Sequence, residues 1–224
     1  MPTRVFEAGV LFGVAVEAAH SIKASPRTGG QRPALVSIVF SVVSLEAFFN
    51  EITEAAHDSL KYPPNLEPQE VSVFAQVMTD AESSRASLEA KFTFANWILA
   101  GKQLDRGAQP YQDFALLMRL RNDLVHFKAG DAFELNQTPE EIHKNLISRF
   151  KHKNILADDM QQMILSWTYI IETKALAEWS CRTAASMVSE LCVAVPRTGV
   201  FNILWRWFRE TLSRKSPPFP SAEK

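Results

Sequence analysis

Arg121-Asn122-Asp123-Leu124-Val125-His126-Phe127 closes an amphipathic run that starts near Tyr111. The apolar positions Phe114, Leu117, Met118, Leu124 and Val125 recur at helical spacing, which predicts a helix from Tyr111 to Lys128. Arg121 falls seven residues after Phe114, on the same stripe. A guanidinium among apolar neighbours needs a partner or a wet site to offset the cost of burial. Asn122 and His126 are four residues apart and share one flank of this helix, and Arg119 falls on that flank seven residues before His126. One short helix therefore carries a guanidinium, an amide and an imidazole close together.

Working outward, the chain reads as helical throughout. Glycine is scarce at 8 of 224 residues, no Asn-Gly or Asp-Gly hairpin turn occurs, and sustained alternation is lacking. With 46% apolar residues the chain can bury a sizeable core, and its length suits one domain with room for an appendage. The formal net charge of −1 argues against a broad nucleic-acid-coating surface, although a cleft gripping a few nucleotides remains compatible with it. No Gly-rich phosphate loop, Gly-x-Ser-x-Gly elbow or His-Glu-x-x-His pair is present.

Thr3 to Ile22 reads as a first helix, followed by a loop with Ser25-Pro26 and Gly29-Gly30. Pro33 suits the first position of a second helix reaching about Leu60, apolar on most sides and so central. Its small-residue stripe Ser37, Ser41 and Ser44 implies close helix packing, with a polar cleft wall as the alternative. Tyr62 to Pro68 is a stiff connector, Gln69 to Met78 is helical, and Ser87 to Ala100 is a further apolar helix that Gly101 stops. Pro110 opens the helix of the first quoted stretch and Gly130 ends it; Thr138-Pro139-Glu140-Glu141 then has the form of a capping box.

The following helix carries His143, Lys144, Arg149, Lys151, His152 and Lys153, a basic cluster that suits phosphates or forms a solvated face. Ala157 to Val195 is the longest periodic segment, with Met160, Met163, Trp167, Ile170, Ala177, Cys181, Ala184, Val188 and Leu191 in a coiled-coil-like seam interrupted by Lys174. Residues 196–215 hold a basic aromatic helix, Val200 to Arg214, which docks on the protein's own body, stacks on nucleobases or meets a membrane surface. Residues 216–224 read as a disordered tail.

Cys181 and Cys192 are the only cysteines, and on one helix they stand roughly 16 Å apart, too far for a disulfide. They read as reduced core thiols, which fits the cytoplasm, and no Cys/His pairing of zinc type occurs, so no metal or cofactor is expected. The N-terminus lacks a signal-peptide pattern, and the most apolar run, Ala34 to Leu45, falls short of the roughly 20 residues that span a bilayer. No membrane partner is expected.

An Arg, a polar residue directly after it and a His five places on resembles the signature helix of HEPN domains, carried here by Arg121, Asn122 and His126. Ser44-Leu45-Glu46-Ala47-Phe48-Phe49-Asn50 looks like the matching helix of several HEPN groups. The resemblance covers Gln31 to Trp179 in outline and rests on these two stretches. It implies an all-α, HEPN-like helical bundle over residues 1–195 with a long C-terminal helix, and a homodimer built partly on the helix from Tyr111 to Lys128. It further implies a metal-independent endoribonuclease, a toxin or defence effector whose antitoxin or regulatory protein partner restrains it. The alternative is a non-catalytic HEPN-like scaffold or nucleotide-binding module.

In the ribonuclease reading RNA supplies its own nucleophile, the 2′-hydroxyl. His126 is the proton-transfer group, Arg121 clamps the phosphate, and Asn122 holds the imidazole or bonds a phosphate oxygen. Arg119, Glu46 and Asn50 support them; Glu46 either salt-bridges Arg121 or begins the solvated face of its helix. Lys144, Arg149, Lys151 and Lys153 are the expected RNA contacts.

Overall fold

Pro33 begins the longest helix, where its missing N–H would have found no intrahelical acceptor anyway, and Gly101 ends another by taking the left-handed conformation (φ 61°, ψ 17°) that an L side chain resists. Boundaries of this kind partition the computed structural model, which describes residues 7–60, 69–126, 144–158 and 167–194. The elements are α1 (Glu7–Ser21), α2 (Pro33–Ser59), α3 (Gln69–Ser83), α4 (Leu88–Ala100), α5 (Tyr111–Val125), α6 (Lys144–Lys153), α7 (Thr168–Ile171) and α8 (Lys174–Ala194). The protein is all-α, with no strand among the described residues. The expected connector at 62–68, the capping box at 138–141 and the C-terminal segments 196–215 and 216–224 lie outside the described residues.

The described residues form two compact units. The first comprises 7–11, 43–60, 69–112 and 184–194; the second comprises 12–42, 113–126, 144–158 and 167–183.

In the first unit, α3 buries the stripe Val71, Phe74, Ala75, Met78 and Ala81 and packs closely on α4. α3 runs five residues beyond the expected Met78, because Thr79 to Ser83 carry that same buried stripe on to Ala81. Ser87 caps α4 by accepting from the Ala90 N–H at 3.2 Å. Phe49 of α2 meets Phe92 of α4 edge to face, with centroids 4.7 Å apart and planes at 88°. Both rings are fully buried, so the pair adds about 1 kcal/mol beyond the area it removes from water.

The start of α1 is capped from α2: the Glu51 carboxylate accepts from the Ala8 N–H at 2.7 Å. Burial pushes the Glu51 carboxyl above its ordinary value of 4.5, aided by Glu7 and Glu54, while hydrogen bonds from the Ala8 and Glu7 backbone act the other way.

In the second unit, Ser37 and Ser41 are fully buried, as close helix packing requires. Ser37 Oγ donates to the Ala177 carbonyl of α8 at 3.2 Å and lies 3.3 Å from Cys181 Sγ, and Ser41 Oγ donates to the same sulfur at 3.7 Å. Burial pushes the Cys181 thiol up, against the opposing pull of those two hydroxyls. In the first unit Cys192 is pushed up to about 12 by burial alone. Both thiols are free and buried. By length and composition α2 could cross a membrane, with an 18-residue window of mean hydropathy 1.7, but half of that window is buried inside the protein.

Among its described residues, the periodic segment Ala157 to Val195 is not one unbroken helix. After the short α7, Glu172 leaves helical geometry (φ −77°, ψ 59°) and α8 restarts at Lys174. Thr173 is the cause. Its Oγ1 accepts from the Leu176 N–H at 3.1 Å, as an N-cap does, and donates to the Ile155 carbonyl at 2.7 Å. Carbonyls that an unbroken helix would use internally are taken by loops. Tyr169 accepts from Gly30, Ile170 from Ala157, and Glu172 from Gln31, at 3.1, 2.9 and 2.8 Å. Gly29 completes this junction: a Cβ there would lie 2.6 Å from Tyr169 Cε1 and 2.7 Å from the Tyr169 carbonyl.

Two stability measurements follow. Thr173→Ala should cost about 2 kcal/mol in urea unfolding, since it deletes a cap and orphans a buried carbonyl, whereas Thr173→Ser should cost well under half of that. Glu51→Gln keeps an acceptor for Ala8 without a buried charge. Because the folded-state value of Glu51 is raised, its contribution is present at low pH and lost as pH rises from about 4.5 through the folded value. The Gln variant should therefore match the parent at pH 4 and be the more stable of the two at pH 7.

Candidate functional site

α5 owes its position to its buried side. Phe114, Leu116, Leu117, Met118 and Leu120 are buried, while Leu124 is only half-buried and Val125 is 52% exposed. The buried part of the apolar stripe therefore stops short of the helix end. The α-helix ends at Val125; His126 sits in a turn, with its N–H donating to the Asn122 carbonyl at 2.9 Å. Residues 127 and 128, the expected end of this helix, lie outside the described residues.

At this end the structure brings two of the expected site residues into contact and places a third, His126, exposed in the turn beyond them. Arg121 Nη1 donates to Asn122 Oδ1 at 3.1 Å, so the amide holds the guanidinium rather than the imidazole. Arg121 is half-buried, its Nε fully so, while Arg119, Asn122 and His126 are exposed on the flank that their spacing implies. Asn122 and His126 thus face solvent, and Asn122 orients the guanidinium. That arrangement can take a phosphate oxygen and exchange a proton.

The other end of α5 is fixed by Asp113, in its first turn. Oδ2 accepts from the Trp179 indole of α8 at 2.9 Å, and Oδ1 is 2.6 Å from Lys153 Nζ of α6. Phe150 of α6 stacks edge-on to Trp179, with centroids 5.4 Å apart. Lys153 is thus held in a structural ion pair, which it would have to leave to reach a phosphate. Arg149, Lys151 and His152 are exposed; Lys144 begins α6, and His143 lies outside the described residues.

Glu46 and Asn50 belong to the first unit. They line a cleft with Glu82, Arg85 and Lys91 that sequence reading did not anticipate. A signal for it existed: Lys91 interrupts the apolar stripe Leu88, Phe92, Ala95 and Leu99 of α4, just as Arg121 interrupts that of α5. Among the described residues no group of three or more His, Cys, Asp or Glu side chains could hold a metal ion. No family model, curated protein or solved structure matches this chain.

Asp113 gives the testable consequence here. Asp113→Ala should destabilise by about 2–3 kcal/mol in urea unfolding, because it strands a lysine and an indole N–H. Asp113→Asn, which can still accept from Trp179, should lose about half as much. Equal losses would show that the indole bond contributes nothing.

Proposed function

We propose that this chain is a HEPN-like, metal-independent endoribonuclease in which Arg121, Asn122 and His126 form the reactive group. The observation that supports this reading best is the Arg121–Asn122 hydrogen bond with His126 exposed one turn further on. It pre-orients a planar, bidentate phosphate clamp near a helix end followed by an imidazole, a group suited to proton transfer. The scissile phosphate would sit on Arg121, whose charge opposes that developing on the phosphorane. His126 would take the proton of the 2′-hydroxyl or deliver one to the leaving 5′-oxygen, and the products would be a 2′,3′-cyclic phosphate and a 5′-hydroxyl. One chain offers one such imidazole, so the reading includes a homodimer in which a second copy supplies the other. Arg119 and the exposed Arg149 and Lys151 would carry flanking phosphates. A toxin or defence role, cytoplasmic and restrained by a protein partner, belongs to the same reading.

A second reading rests on the same hydrogen bond. With Asn122 Oδ1 committed to a half-buried Arg121, the pair also serves as a helix-end brace, as in a non-catalytic HEPN-like scaffold.

Incubating the purified protein with RNA and scoring 2′,3′-cyclic phosphate ends separates the two. Catalysis predicts that His126→Ala lowers cleavage by about 10²–10⁴-fold. Arg121→Lys, which keeps the charge but not the fork, should also fall by at least about tenfold. Cleavage that is equal in parent and His126→Ala, or missing from both, favours the scaffold.

A further inference from the structure

We propose that the cleft between α2, α3 and α4 of the first unit binds a free α-amino acid with a bulky apolar side chain. The site has two adjoining chambers that share Asn50, Glu82 and Lys91. The smaller, about 260 Å³, holds two cations, Arg85 and Lys91, and two carboxylates, Glu46 and Glu82. The larger, about 460 Å³, has an apolar floor of Phe49 and Met78, both buried, and a wall closed by the His57 Nε2 to Thr79 Oγ1 contact at 2.8 Å. The larger volume falls within the range of sites for small ligands, about 300–1,000 Å³, and the smaller lies below it.

Two features of the smaller chamber are unusual enough to need a purpose. Lys91 has its side chain 10% exposed, in the apolar stripe of α4, with Glu82 Oε2 as its ion-pair partner. An ammonium has three N–H donors, so the Glu82 contact leaves capacity for another acceptor. Arg85 ends α3 in the left-handed region (φ 56°), where the Ala86 N–H reaches back to the Ala81 carbonyl at 2.8 Å. Glycine suits that position and an L side chain is strained there. Arg85 is exposed and lines the cleft, so its guanidinium can turn to a ligand there.

The charge pattern selects the ligand class. A simple anion would meet Arg85 and Lys91 but also two carboxylates; a simple amine would meet Glu46 and Glu82 but also two cations. A zwitterion satisfies both pairs, with its carboxylate on Arg85 and Lys91 and its ammonium on Glu46 and Glu82 Oε1. Its side chain then extends into the larger chamber against Phe49 and Met78, where aromatic and thioether groups pack well. This assignment does not depend on the RNA reading, since no residue of α5 takes part.

Isothermal titration of the full chain with L-phenylalanine and L-methionine tests it. Saturable binding at one site per chain is expected. N-acetyl-L-phenylalanine, 3-phenylpropionate and phenethylamine, each lacking one charge, should bind at least about tenfold more weakly. Glu46→Gln should lose affinity by a similar factor. Arg85→Gly should lose affinity while raising the thermal midpoint by about 2–4 °C through relief of the backbone, which separates lost binding from lost folding. Phenethylamine or 3-phenylpropionate binding as tightly as L-phenylalanine, full affinity in Arg85→Gly, or no binding of either amino acid at about 10 mM would each overturn the proposal.

Discussion

One carboxylate, that of Asp113, ties three helices of the second unit together. Each of its oxygens has its own partner, Lys153 of α6 and the Trp179 indole of α8, and Phe150 lies edge-on to the same indole. Each oxygen of this half-buried carboxylate has a partner, and the arrangement fixes the start of α5 against two neighbours. The direction of α5 follows from that anchor and from its buried leucines. Its far end, where Arg121 and Asn122 sit, is therefore presented by a helix, with His126 in the turn just beyond it. The same anchor withdraws Lys153 from the basic face of α6 and leaves Arg149 and Lys151 as its outward cations.

Much of the helical order was legible from residues whose local chemistry has few options. Pro33 could only begin a helix, Gly101 could only end one, and the serine stripe of α2 had to meet a close neighbour. The break before α8 was not legible from the apolar pattern, because the seam residues Trp167, Ile170, Ala177 and Cys181 stay buried across it. The chain breaks because Thr173 and the carbonyls around it bond to segments distant in sequence, near Ile155 and Gly30. Periodicity records which residues are buried; it does not record whose N–H a carbonyl will find. Likewise, spacing placed Arg119, Asn122 and His126 on one exposed flank, but it did not show that Asn122 would hold Arg121.

The two functional readings draw on one sequence signal, a cation placed in an apolar stripe. In α5 that cation is Arg121, held by its neighbouring amide beside an imidazole. In α4 it is Lys91, held by Glu82 in a chamber completed by a conformationally strained Arg85. The first arrangement offers a clamp with a proton-transfer group beside it, which suits a phosphodiester. The second alternates charges in a confined space, which suits a small zwitterion. Glu46 and Asn50 line that cleft with residues of α3 and α4.

The two thiols lie far along α8 from each other, one beneath serine hydroxyls and one in apolar surroundings, and both are held in their unreactive protonated form. Cys181 belongs to the second unit and Cys192 to the first. A thiol-directed reagent can reach either sulfur only when the packing around it opens, and only the ionised sulfur attacks. The protein thus carries a native chemical clock in each half, and the relative pace of the two would reveal whether the halves loosen together or one before the other.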